Sequence, residues 1–368
     1  MSAVIARPTD ATRTPSKTST LIIDSDVHET IAGMQELVPY LAPQWQKYIT
    51  EYGFRTIATG WPHVIPVEHR KEWKHYRAED PLAIMQQFLL DKMGVSVAIL
   101  NNATYHFSAM PCWYEFSAAL AAAYNDWQIE HWLDKEPRLR GSVNVVVHDP
   151  KVAAAEIDRV GSHPQMVQVM LPVVVDRMYG DPMYRPIYEA AVRNGLTITM
   201  HHDGETKSVL HPGYGRYFIE WHAVALPAAM QAQLASFIFN GTFDKYPDLK
   251  IVGLEAGFTW LPSFMTRLDR QYAEFRVEVP WVKRKPSEHV RNNIRLSTQP
   301  MEALDARQLM NLCDMMDSDE TILFSSDFPH YDTDEPSNAF PAGLPQNTLD
   351  KFMFGNALNT YARLGIKP

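Results

Sequence analysis

The sequence predicts an α/β fold, a (β/α)8 barrel with a lid-like insertion after its first strand. Two observations predict it. Eight short runs rich in β-branched residues recur along the 368-residue chain, with longer stretches of helical period between them. No G-x-G-x-x-G turn, which an open doubly wound sheet would often carry after an early strand, occurs among the 17 glycines. Eight such units close as a barrel, and in a barrel the chemistry sits at the C-terminal ends of the strands.

Met1–Ser19 is small, polar and proline-containing, and reads as a disordered arm, a transit peptide being the alternative. Residues 20–368 read as a single domain. The expected strands are Leu21–His28, Val95–Asn101, Gly141–His148, Met166–Leu171, Leu196–His201, Lys250–Glu255, Asn293–Thr298 and Thr321–Asp327. The expected helices include Pro81–Met93, Phe116–Lys135, Lys151–Val160, Pro186–Asn194, Ile219–Asn240 and Leu261–Arg276. Asp80-Pro81 and Asp149-Pro150 suit first turns, because aspartate accepts from the free N–H groups and proline has none to offer. Asn194-Gly195 suits a left-handed C-terminal cap. Residues 30–80 form a long excursion carrying Trp45, Trp61, His63, His69, Trp73, His75 and Tyr76, and read as a lid, a subunit contact or a covering layer.

Composition excludes several classes. With 34 Lys+Arg against 43 Asp+Glu the net charge is −9, which argues against a nucleic-acid or anionic-membrane binder. The two cysteines, Cys112 and Cys313, exclude a disulfide framework and point to a reducing, cytoplasmic compartment. No uninterrupted apolar run reaches the ~18 residues of a membrane helix.

The strand ends carry the functional signal. The first ends Asp24-Ser25-Asp26-Val27-His28, and the period of two puts Asp26 and His28 on one face with Asp24 a layer deeper. The fifth ends His201-His202. Alternation lets one of the two face the mouth, and His201 continues the face of Thr197 and Thr199. The sixth ends in Glu255, a buried carboxylate that needs a cation or an arginine such as Arg267 or Arg270. The eighth ends in Asp327, with His330 close behind. Carboxylates and imidazoles converging from four strands suit a divalent metal. The fourth strand ends without a lysine, so a lysine carbamate bridging two ions is not available there. His106, His131, His148, His163 and His289 show no converging partners, and Met310, Met315 and Met316 read as core.

The chain resembles the amidohydrolase-related family, the branch of the amidohydrolase superfamily that holds aminocarboxymuconate-semialdehyde and γ-resorcylate decarboxylases. The resemblance runs from about Leu21 to Leu364. It is carried by Asp26-Val27-His28, Pro186-Ile187-Tyr188-Glu189-Ala190-Ala191 leading to His201, the segment Gly241–Lys250, Ser326-Asp327-Phe328-Pro329-His330 and Gly355-Asn356-Ala357. It implies a distorted TIM barrel with a catalytic divalent ion. The first motif, H-x-H or E-x-H in the family, is Asp26-x-His28 here. The strand-five ligand maps to His201 and the strand-eight ligand or acid/base group to Asp327. The strand-six catalytic histidine of the decarboxylases is replaced by Glu255, a position for which His222 or His330 could stand in.

The expectation that follows is metal-assisted hydrolysis of a small polar substrate. Zn, Mn or Fe on Asp26, His28, His201 and Asp327 would lower the pKa of bound water, with Asp327 or His222 as general base. The alternatives are non-oxidative decarboxylation of an aromatic or unsaturated acid gripped by Arg216 or Arg177, and Mn- or Fe-dependent monooxygenation. In the last, Glu255 bridges to a second ion on His202 or His222. The non-enzymatic reading is an inactive subunit that stabilises an active paralogue, with residues 30–80 or Val277–Trp281 as the subunit contact; the expected assembly is a homo-oligomer or a pair with such a paralogue.

Overall fold

A computed structural model describes residues 21–31, 33–53, 80–102, 113–202, 218–302 and 304–366. The N-terminal arm, Trp61, His63, His69, Trp73, His75, Tyr76, His106, Cys112 and Arg216 lie outside the described residues.

All eight expected strands form, parallel and in sequential order: β1 Ile23–Val27, β2 Val97–Leu100, β3 Leu139–Asn144, β4 Met166–Pro172, β5 Thr197–His201, β6 Ile251–Gly253, β7 Ile294–Ser297 and β8 Ile322–Leu323. Every strand residue is buried, as both faces of a helix-covered parallel sheet must be. The ring closes between β8 and β1. Ser25 N–H donates to Phe324 O at 3.0 Å, Asp327 N–H to Asp26 O at 2.9 Å and His28 N–H to Phe328 O at 2.8 Å. The last strand is shorter than the expected Thr321–Asp327, ending at Leu323, and Asp327, four residues further on, has φ 59°.

The helix signals work as expected. Asp80 accepts from Leu82 and Ala83 N–H, and Asp149 from Lys151 and Val152 N–H. Gly195 ends the helix Arg185–Asn194 at φ 64°, a conformation other residues adopt only at a cost. Between barrel and helices lies the main core, including Leu89, Trp127, Ile157, Ile187, Phe237 and Phe352. A smaller cluster joins Ile23, Val97, Val252 and Leu323 to Tyr361 and Leu364 of the C-terminal segment, which Arg140 ties down by donating to Leu364 O.

Some expectations change. The stretch Trp221–Phe239 is apolar enough to cross a membrane by composition, although no strictly apolar run is that long. It is half buried, and packs Leu226, Met230, Leu234 and Phe237 into the core as an outer helix of the barrel. Of the three methionines read as core, Met316 is buried and Met315 is 71% exposed, since a helix presents only one face inward. His289 is fully buried, its Nε2 3.3 Å from Asp244 Oδ2. Within the excursion after β1, the helix Pro43–Tyr52 packs Trp45 and Tyr48 against Trp113 and Phe116.

Candidate metal centre

At the mouth of the barrel the ends of β1, β5, β6 and β8 meet, and all eight residues singled out in the sequence join one contact network. Asp26 Oδ1 lies 3.8 Å from His28 Nε2, and Asp26 Oδ2 lies 3.7 Å from His201 Nε2. His28 Nε2 is 2.7 Å from Asp327 Oδ1, and His330 Nδ1 is 2.7 Å from Asp327 Oδ2. Glu255 Oε2 meets His201 Nε2 at 3.3 Å and His202 Nε2 at 2.5 Å, while its Oε1 meets His222 Nε2 at 3.2 Å. The His330 ring stacks on His28 with centroids 4.4 Å apart. Among the described residues, three overlapping groups have ligand atoms close enough to hold an ion: Asp26-His28-His201, His28-Asp327-His330 and His201-His202-Glu255.

Two local devices aim these side chains. Asp26 and His201 sit on their strands, and the pleat turns them inward as the alternation rule requires. Glu255 and Asp327 instead lie just past β6 and β8 with φ of 50° and 59°. A left-handed residue other than glycine costs about 1–2 kcal/mol, so the surrounding structure must hold it. Glu255 N–H donates to Ser297 Oγ at 3.0 Å, and Asp327 N–H to Asp26 O.

The alternation argument for the histidine pair is corrected. His202 lies one residue beyond β5, outside the pleat, so both imidazoles reach Glu255. His222 comes from a π-helical turn, Trp221–Ala225, where the extra residue per turn re-aims a side chain. The proposed arginine partners of Glu255 are replaced by imidazoles, and Arg270 pairs with Glu274. Arg177 pairs with Asp181 at 3.0 Å, its side chain 63% exposed, rather than joining the centre.

Hydrogen bonding fixes how the imidazoles present themselves. His28 Nδ1 is 2.6 Å from Asn101 O, and His201 Nδ1 is 2.6 Å from His202 O. A carbonyl only accepts, so in each ring Nδ1 carries the hydrogen and a neutral ring turns the Nε2 lone pair inward. Both Nε2 atoms then face carboxylate oxygens. Two acceptors at such range need a proton or a cation between them. Without an ion, protons take that place. Burial pulls His201 down, yet Asp26 and Glu255 outweigh it and leave it at about 9. Burial, with the charges of His330 and His201, keeps His28 well below its usual value. Burial, with Glu255, Asp26 and Asp332, pushes Asp327 well above the carboxylate range. Burial also raises Asp26 to about 6, against the opposing charge of His201. Asp26 Oδ2 is buried and accepts no hydrogen bond among the described residues. The donor set therefore fits a divalent ion, whose two positive charges would balance the crowded carboxylates of Asp26 and Asp327.

A polar layer supports it that the strand-end reading did not single out. Asn101 Nδ2 donates to Asp26 Oδ1 at 2.9 Å, and Asn101 Oδ1 accepts from Ser142 Oγ and Gln168 Nε2, each at 2.8 Å. The available signal was Gln168 within the apolar run Met166–Leu171. Below, Asp24 Oδ1 accepts from Ser326 and Asp26 N–H, and burial raises this carboxyl to about 7.

Comparisons agree with the motif reading. The gamma-resorcylate decarboxylase of Polaromonas sp. (strain JS666) is 24% identical over 246 residues, 64% of this chain and 74% of that protein. A crystal structure of a dihydroxybenzoic acid decarboxylase from Polaromonas sp. JS666, with bound manganese and the inhibitor 2-nitroresorcinol, superposes with a TM-score of 0.64 at 19% identity, over 94% of this chain and 98% of that one. An amidohydrolase from Mycobacterium avium subsp. paratuberculosis K-10 superposes with a TM-score of 0.71 at 20% identity, over 94% and 99%. The amidohydrolase family profile matches residues 23–363, the whole barrel from β1 to the C-terminal segment docked on it, and the chain therefore belongs to the amidohydrolase family.

Proposed function

We propose that this chain is a metal-dependent, non-oxidative decarboxylase of a small aromatic acid. The observation that carries the reading is the pair of imidazoles whose Nδ1–H groups are pinned on carbonyls and whose Nε2 atoms face carboxylates. That arrangement suits a cation held by Asp26, His28, His201 and Asp327, and the named decarboxylases are the relatives that give it a substrate class. A divalent ion there supplies a Lewis acid for an acid's carboxylate and a neighbouring oxygen.

The chain's own residues then have a proton to deliver. Decarboxylation breaks the bond between ring carbon and carboxyl carbon, leaves the electron pair on the ring carbon and releases CO2, so that carbon must gain a proton. Ionised Glu255 is a poor donor: burial pushes it up, but His202, His201 and His222 outweigh burial and hold it well below the usual range. His330 is better placed. Its Nδ1 is hydrogen-bonded to Asp327 Oδ2, its ring is stacked on His28, and its side chain is 22% exposed, which lets it exchange protons with solvent between turnovers. His330 thus takes the part that the missing strand-six histidine would play.

The test is anaerobic incubation of manganese-loaded protein with 2,6-dihydroxybenzoate and with 5-carboxyvanillate, following CO2 and the decarboxylated phenol. The expected result is stoichiometric release, with His330→Ala slowing turnover by ~10²–10⁴-fold at unchanged manganese content. Absence of CO2 from a panel of aromatic acids overturns the reading. Glu255 favours hydrolysis as a second reading, because an ionised carboxylate beside the centre can accept a proton from water. Turnover of esters, amides or lactones without CO2 release marks that outcome, and oxygen uptake marks a monooxygenase.

A further inference from the structure

We propose that Gln299, just past the end of β7, reads a hydroxyl group on the aromatic ring of the substrate, one that does not lie on the ion. The inference rests on the decarboxylase reading for the ring and its carboxylate, and adds the residue that selects among such acids.

Gln299 is anchored between the two acids held in the left-handed region. Ser297, the last residue of β7, accepts at Oγ from Glu255 N–H at 3.0 Å. Gln299 follows two residues on, and its own N–H donates to Ser325 Oγ at 2.9 Å, two residues before Asp327. Beyond it, Met301 N–H donates to Asp334 Oδ2 at 2.8 Å, and Asp334 N–H to Ser326 O at 2.9 Å. The backbone on both sides of Gln299 is therefore tied to the segment that carries Asp327, and Gln299 belongs to the mouth of the barrel, where a substrate has to enter.

Its side chain is unlike the other carboxamides at strand ends. Gln299 is fully buried, and neither Oε1 nor Nε2 makes a hydrogen bond among the described residues. Asn101, just past β2, donates to Ser25 O and Asp26 Oδ1 and accepts from Ser142 and Gln168. Asn144, the last residue of β3, donates to Asn125 Oδ1 and Ser142 O and accepts from Asn102 Nδ2. Those two are spent on holding the barrel together, and Gln299 is not. A buried amide without partners costs stability, so folded chains keep few of them, and a residue kept at such a cost beside a reaction centre is one whose partner arrives with the ligand. The amide offers a donor and an acceptor but no charge. It therefore suits a neutral group that can act as either, a hydroxyl, rather than a second carboxylate. A site built to hydrogen-bond a hydroxyl discriminates strongly against the analogue that lacks it, because the buried amide is then left unpaired.

The experiment is a binding series on manganese-loaded protein. The reference probe is 2-nitrophenol, in which a nitro group stands in for the carboxylate and no CO2 can be lost. It is compared by calorimetric titration with each isomer that adds one hydroxyl to its ring, in the wild type and in Gln299→Met, which keeps the shape of the side chain and removes both polar atoms. In the wild type at least one isomer should bind ~10–100-fold more tightly than 2-nitrophenol, and Gln299→Met should erase that gain at unchanged manganese content. Without ligand, the urea midpoint of Gln299→Met should equal or exceed that of the wild type, because the unpaired amide is gone. A wild type in which no isomer gains over 2-nitrophenol overturns the proposal without recourse to the variant, as does a gain that survives the substitution. A lower urea midpoint or a lower manganese content in Gln299→Met also overturns it, since either marks a residue that supports the fold or the ion. The two readings fail separately. A hydroxyl-dependent gain lost in Gln299→Met, with no CO2 from any aromatic acid, keeps the hydroxyl contact and removes the decarboxylase, whereas CO2 release without such a gain does the reverse.

Discussion

Acidic residues in two parts of this barrel are treated in opposite ways. Glu136, in the turn before β3, is hydrogen-bonded to the Arg138 guanidinium and pulled down to about 2. Asp26 and Asp24, at the mouth, are pushed up to about 6 and about 7 by burial. Depth is not the whole difference, because Glu136 is itself only 4% exposed. What differs is the source of the cation. On the wall the chain provides one. At the mouth the described residues provide carboxylates and imidazoles but no lysine or arginine, so a cation has to be brought in. Glu255, held down by imidazoles, lies between these cases.

The comparison breaks most visibly if the mouth is robbed of its central carboxylate. Asp26→Ala should cost at least ~10²–10³-fold in turnover, the scale of losing one preorganised electrostatic group, and should lower bound manganese per chain. Steady-state kinetics with elemental analysis read both, and a variant that keeps its full metal content contradicts the assignment. Smaller is the effect of loosening the support while leaving the ligands. Asn101→Ala removes the donor to Asp26 Oδ1 and should weaken manganese binding by roughly 10–100-fold, measured by calorimetric titration. Saturating manganese, at a hundred times its dissociation constant, should add ~2.7 kcal/mol to wild-type stability in urea unfolding and much less to Asp26→Ala.

The wall gives the mildest prediction and the control. Glu136 is depressed in the folded state, so its contribution is present above the ordinary glutamate range and fades as the pH falls through about 2. Glu136→Gln should therefore destabilise by ~1–2 kcal/mol at pH 7, a figure discounted because Arg138 is partly exposed, and by progressively less below pH 4. Manganese should leave that difference unchanged.

How much of this was legible in the sequence follows from what sets each geometry. Asp26 and His201 were readable because they ride on strands, whose period of two fixes direction. The eight strands were readable from β-branched runs, and the helix starts from Asp-Pro pairs. The places of Glu255 and Asp327 were legible, but the left-handed turns that aim them were not, since no local propensity favours that conformation for an acid. His202 was misjudged by extending the pleat one residue past its end. Asn101 and Ser142 were not singled out because they matter only through neighbours on adjacent strands. The replacement of the strand-six histidine by Glu255 was plain in the sequence, but its three imidazole contacts needed the fold.

The most direct test of the account is anomalous diffraction at the manganese edge from crystals grown with Mn(II). The account predicts a peak at ~2.0–2.3 Å from His28 Nε2, His201 Nε2 and carboxylate oxygens of Asp26 and Asp327. No anomalous density at the barrel mouth, with the Nε2 atoms of His28 and His201 still hydrogen-bonded to carboxylates, would contradict it.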